Sequence, residues 1–84
     1  MAPIPSKVAE IISVSIDLRE MAADSAHNIG TLTLVNAQLD VLRGITQALN
    51  QRYSKTEEGA DLSVRVCNLQ TMIQNKIARI GGDD

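Results

Sequence analysis

The sequence predicts an all-α fold, either a three-helix antiparallel bundle or a long helical hairpin, held together by coiled-coil-like packing. Three observations predict it. Apolar residues recur at alternating spacings of three and four along three successive stretches, which places them on one stripe of a helix. Gly30 and Gly59 divide the chain near its thirds. The apolar residues are almost wholly aliphatic, with no Phe, no Trp and Tyr53 as the single aromatic residue. Thin aliphatic side chains suit helices packed at close range, whereas sheet proteins lean on aromatic and β-branched residues.

The first helix is predicted over about 6–28, after Pro3 and Pro5. Ser6 is the expected N-cap, because its hydroxyl can accept from an early backbone N–H. The expected seam is Val8, Ile11, Ser15, Leu18, Ala22, Ser25 and Ile29. The second helix is predicted over about 31–56, with Thr31 as cap and the seam Leu32, Val35, Leu39, Leu42, Thr46, Leu49 and Tyr53. Arg52 and Lys55 stand near its end, where cations suit the helix dipole. The third is predicted over about 61–80, with Asp61 as cap and the seam Leu62, Val66, Leu69, Ile73, Lys76 and Ile80. Lys76 is the misfit there, and Ile77 is expected to take its inward place. Gly30, Gly59 and Gly81-Gly82 are read as C-terminal stops. Residues 1–5 and 81–84 are expected to be flexible ends, the latter closing on the acidic pair Asp83-Asp84.

A competing pattern runs through the same segments. Ile12–Arg19, Thr31–Leu34 and Leu62–Val66 alternate apolar and polar residues as half-buried strands do. No turn punctuation bounds the first of these runs, and each lies inside a longer heptad, so the helical reading is preferred.

Composition narrows the function. A chain of 84 residues makes one small domain with a thin stability margin. Such domains compensate with disulfides, metals, regular helix packing or oligomerisation. The single Cys67 forbids an internal disulfide, and the single His27 has no partners at metal-ligand spacing. A free cysteine fits a reducing compartment, so a cytoplasmic location is expected. The net charge of −2 leaves no basic footprint for nucleic acid. No apolar run approaches the length of about 20 residues that spans a bilayer. No phosphate loop, nucleophile elbow or paired catalytic carboxylates occur, so no catalytic residue, metal site or cofactor is assigned. Cys67 reads as a semi-buried filler, and His27 as a residue near a helix end.

Apolar residues remain after the seams are filled. On the second helix Leu34, Val41 and Ala48 recur every seven residues on another face, with Ala37 and Gly44 beside them. Glycine within a helix costs about 1 kcal/mol relative to alanine. The first helix adds Ile12, Ile16 and Ala23, and the third Val64 and Met72. These residues either widen the core or form an outward contact surface. On the second reading the candidate partner-binding residues are Leu34, Ala37, Val41, Gly44, Ala48, Ile12, Ile16 and Val64. The expected function is a non-enzymatic helical interaction module: a small chaperone, adaptor or assembly subunit that binds a partner helix or itself. The alternative is a small nucleic-acid-binding regulator, using the second and third helices with Arg43, Arg52, Lys55 and Arg65. A carrier of an apolar ligand is a third reading.

Overall fold

The computed structural model describes residues 2–82; Met1, Asp83 and Asp84, and with the latter two the expected acidic tail, lie outside the described residues. Three helices follow one another: α1 (Ser6–Ser25), α2 (Ile29–Arg52) and α3 (Glu57–Gly82). Each packs on both others, and the contact of α2 with α3 is the most extensive. This is the three-helix bundle rather than the extended hairpin, and no strand occurs among the described residues. The bundle is a rod of 52 × 17 × 17 Å.

Cross-helix hydrogen bonds fix the topology. Arg65 donates to Ser13 and Asp17, and farther along α3 Lys76 donates to the carbonyls of Ala23 and Asp24. Partner numbers rise together, so α1 and α3 are parallel. Asn50 donates to Ser63 and the Gly59 carbonyl, while Gln70 donates to Asp40 and the Asn36 carbonyl. Here the numbers run in opposite senses, so α2 is antiparallel to α3.

The helix boundaries differ from those expected because other residues supply the caps. Pro5 stands at the N-cap of α1 without a side-chain bond, and Ser6 is already helical. Asn28 caps α2, its Oδ1 accepting from Thr31 N–H at 2.8 Å. That cap, with Ala26 extended and buried, ends α1 at Ser25. Thr56 accepts from Gly59 N–H at 3.1 Å and starts α3 four residues before Asp61. None of the described glycines has positive φ. Gly30 and Gly59 sit in the first turns of α2 and α3 rather than ending the helices before them. Gly59 serves close approach instead. A Cβ there would stand 2.5 Å from Asn50 Oδ1 and 3.0 Å from Ile4 Cδ1. Ile4 itself is buried, and Ser54 N–H donates to the Ala2 carbonyl at 2.8 Å. The described part of the expected loose N-terminus is therefore packed against the bundle.

The core follows the expected seams on α2 and α3. Leu32, Val35, Leu39 and Thr46 are buried on α2, and Leu62, Val66, Leu69 and Ile73 on α3. On α1 the register is one residue away from the expected one. Ala9, Ile12, Ile16 and Ala23 point inward, with Ile12 and Ile16 only 4% and 0% exposed. Ile11 and Leu18 point outward, 65% and 55% exposed. The adjacent pairs Ile11-Ile12 and Ala22-Ala23 let two stripes about 100° apart satisfy the spacing, and packing against α2 and α3 selects the one that holds Ile12, Ile16 and Ala23. Ile12 and Ile16 thus leave the set of partner-binding candidates, because the bundle's own core encloses them.

Lys76 is not a misfit. Its aliphatic stem lies along the bundle while its ammonium reaches the last carbonyls of α1 at 2.8 and 3.2 Å. The last turn of α1 carries no basic residue of its own. Lys76 provides from α3 the positive charge that a helix C-terminus favours. Ile77 is half-buried beside it.

The register of α1 has a direct check. Ile16→Ala is expected to lower the unfolding free energy by about 2–5 kcal/mol. In dilute solution Ile11→Ala is expected to change it by no more than about 0.5 kcal/mol. Urea titrations of the two variants would expose a wrong register if the losses were equal or reversed.

Candidate functional site

The large apolar side chains exposed among the described residues are unevenly shared. Ile11, Val14, Leu18 and Met21 are on α1, Ile29, Leu34, Val41 and Ile45 on α2, and Val64 alone on α3. The outward side of α3 otherwise carries polar or small residues, with Asp61, Cys67, Asn68, Thr71, Asn75 and Ala78 exposed. An amphipathic helix at a solvated surface has that pattern. α1 and α2 instead carry apolar residues on both faces.

The hydrogen bonds to α3 orient these leftovers. Side chains advance by about 100° per residue around a helix. Ser13 and Asp17 mark the flank of α1 that faces α3, so Ile11 and Leu18 fall on the opposite flank, towards α2. Asn36 and Asp40 mark the α3 flank of α2, so Leu34, Val41 and Ile45 fall towards α1. The two sets share one side of the bundle. Between them the half-buried Val8, Ala22, Leu42 and Leu49 form the floor of the seam, packed against the core. Ser15 and Gln38 are the polar residues in the middle of this face. The same bonds set the levels of the helices: Leu18 stands beside Val41 near the middle, and Lys7 beside Arg52 at one end.

The candidates named from sequence are thereby separated. Leu34 and Val41, 60% and 64% exposed, lie on the shared face. Ala48 lies at its edge. Ala37 and Gly44 are exposed but turn away from α1, towards the outer flank of α2. Val64 stands on the back of α3, remote from the others. Ile12 and Ile16 are in the core. Ile11, Leu18 and Ile45 belong to the face and are not among those candidates, since the expected seam takes the first two. The adjacent pair Ile11-Ile12 fits either stripe, so the spacing carries no signal between them.

Polar chemistry is dispersed. The Arg65 guanidinium bonds Asp17 at 2.5 Å and Ser13 at 2.9 Å, a partly exposed pair that orients α3 on α1 more than it stabilises. An open groove of about 300 Å³ lies beside it, lined by Glu20, Asp24, Asn68, Leu69 and Met72. Another depression of about 340 Å³ lies on the outer side of α1 along Lys7, Glu10, Ile11, Val14 and Ser15. Cys67 is exposed on α3, not the semi-buried filler expected, and His27 is exposed in the link between α1 and α2. Among the described residues no three of His, Cys, Asp and Glu converge as metal ligands, and no helix is long and apolar enough to cross a membrane. Asn36 Oδ1 and Arg19 Nε are buried without partners.

The geometry defines the chain as a three-helix bundle with one uncovered apolar side. No protein-family model, curated protein or solved structure matches it.

Gly44 has no packing role in the bundle, since a Cβ there would meet nothing within 4 Å. Gly44→Ala is expected to raise stability by about 0.5–1 kcal/mol through helix propensity alone. At this chain length that corresponds to a rise of the order of 4 °C in Tm. Thermal unfolding followed by circular dichroism measures it; a fall in Tm would mean that Gly44 is held by a contact it does not have here.

Proposed function

We propose that the chain is a non-enzymatic helical interaction module, whose apolar α1–α2 face packs against a protein surface. The observation that carries this reading is the one-sided distribution of exposed aliphatic side chains, with Ile11, Leu18, Leu34, Val41 and Ile45 together and α3 almost free of them. Soluble monomers rarely expose large contiguous apolar patches, and those present mark contacts. Helix-against-helix docking uses anchors at spacings of three, four and seven. Ile11 and Leu18 are seven apart, as are Leu34 and Val41, with Ile45 four further on. A small chaperone, adaptor or assembly subunit is the role such a face serves. The free Cys67 is compatible with work in the cytoplasm or another reducing compartment. The nucleic-acid reading is weakened because Arg65, one of its four cations, is already engaged by Asp17.

A photo-cross-linking residue at position 41 is expected to yield covalent adducts of defined mass in cells, with another protein or a second copy. The same residue at position 64, on the back of α3, is expected to yield none. Absence of adducts from position 41, or equal labelling from both, would remove the proposal.

A further inference from the structure

We propose that the occupant of the α1–α2 face is a second copy of this chain, related by a two-fold axis perpendicular to the helices. The inference rests on the interaction reading above and names the partner.

The first argument is area. The large side chains of the face, Ile11, Leu18, Leu34, Val41 and Ile45, are 43–65% exposed. At on the order of 100 Å² of apolar surface apiece, they amount to roughly 500 Å². That stands in the upper part of the range for the largest patch of a typical monomer, about 300–600 Å², a patch that is itself often functional. It is more than half of the roughly 800 Å² that each partner buries in a stable interface, whose rim is polar.

The second argument is complementarity. A two-fold interface brings one patch against itself, so an apolar patch with no fixed charge at its centre is its own complement. The middle of this face, around Leu18 and Val41, holds only apolar side chains with Ser15 and Gln38. Charge is confined to one end, where Lys7 and Arg52 stand at the same level and Glu10 lies one turn from Lys7. An axis parallel to the helices would bring these cations against their own copies. An axis perpendicular to the helices instead sets them against the far end, at the level of Gly30 of the second copy, and removes the repulsion. Leu18 and Val41 then lie beside the axis, each near its own counterpart. Leu34 falls at the level of Leu49 of the second copy.

The third argument is size. The bundle has a small core, no metal-ligand cluster among the described residues and a single cysteine, and association is one of the means by which such a core enlarges its stability margin. The two copies of α3, with their polar outer surfaces, would flank the assembly.

Sedimentation of the pure chain from micromolar to millimolar concentration tests the inference. A reversible monomer–dimer equilibrium is expected. Val41→Glu is expected to weaken it by on the order of 30-fold or more, because an unpaired charge would enter the centre of the interface. Val64→Glu is expected to leave it unchanged. In a Cys67→Ser background, Leu18→Cys is expected to form disulfide-linked dimers on mild oxidation, which the native Cys67 on α3 does not. Circular dichroism of each variant verifies that the helices persist. A monomer at millimolar concentration, or a dimer that Val41→Glu leaves intact, would overturn the proposal. If the chain is monomeric while position 41 still cross-links another protein in cells, only the second copy is lost. If position 41 cross-links nothing, the interaction reading falls as well.

Discussion

The structure depends on the burial of one aliphatic stripe per helix at a common axis. Ile16 of α1, Leu32 and Leu39 of α2 and Val66 and Ile73 of α3 are fully enclosed there. Each such side chain contributes about 1.5–3 kcal/mol when it leaves water. Conformational entropy opposes folding at every residue. In 84 residues few side chains are this deep, so no helix can turn its stripe away. The rotational setting of each helix follows from that constraint, and with it the side chains left facing outward.

Polar bonds across the helices refine this arrangement. Arg65 and Lys76 tie α3 to α1, and Asn50 and Gln70 tie α2 to α3. Individually such bonds are worth about 1 kcal/mol. Their larger effect is directional, because each pins one flank of a helix to one neighbour. Two bonds on each pair fix both level and direction. Gly59 adds a steric constraint, since Asn50 and Ile4 occupy the space that a side chain there would need. These cross-connections all run to α3 or its first turn. The side formed by α1 and α2 is joined by apolar contact, and that same side carries the exposed aliphatic residues.

On the proposed reading, stability and association are linked in this protein. A bundle that spends aliphatic residues on an outward face forgoes burying them within itself. When such a face is covered, its burial adds to the stability of the folded state by mass action. On that reading the outer face of α1 and α2 enters the folding energetics as well as the binding.

The sequence by itself determined the helical class and the inward stripes of α2 and α3, while the choice of three-helix bundle over hairpin came from the tertiary structure. Leu32, Leu39, Val66 and Ile73 were legible because their three-four spacing is the longest apolar run on each helix and fixes the buried face. It also determined that apolar residues exceed what three narrow seams require, and Leu34 and Val41 were readable as part of that surplus. The register of α1 was not readable with the same certainty of pattern. Ile11 and Ile12, and likewise Ala22 and Ala23, are adjacent apolar pairs, so two stripes about 100° apart both satisfy the spacing. Only the closing of α2 and α3 over α1 chose between them. The capping roles of Asn28 and Thr56 were likewise decided by the chain paths between helices. So was the burial of Ile4, which depends on Gly59 approaching from a distant part of the sequence. The shared α1–α2 face came from tertiary structure alone, because periodicity gives the faces of each helix but not which faces of different helices adjoin. That depends on how each helix is rotated about its own axis, which packing of all three at once determines.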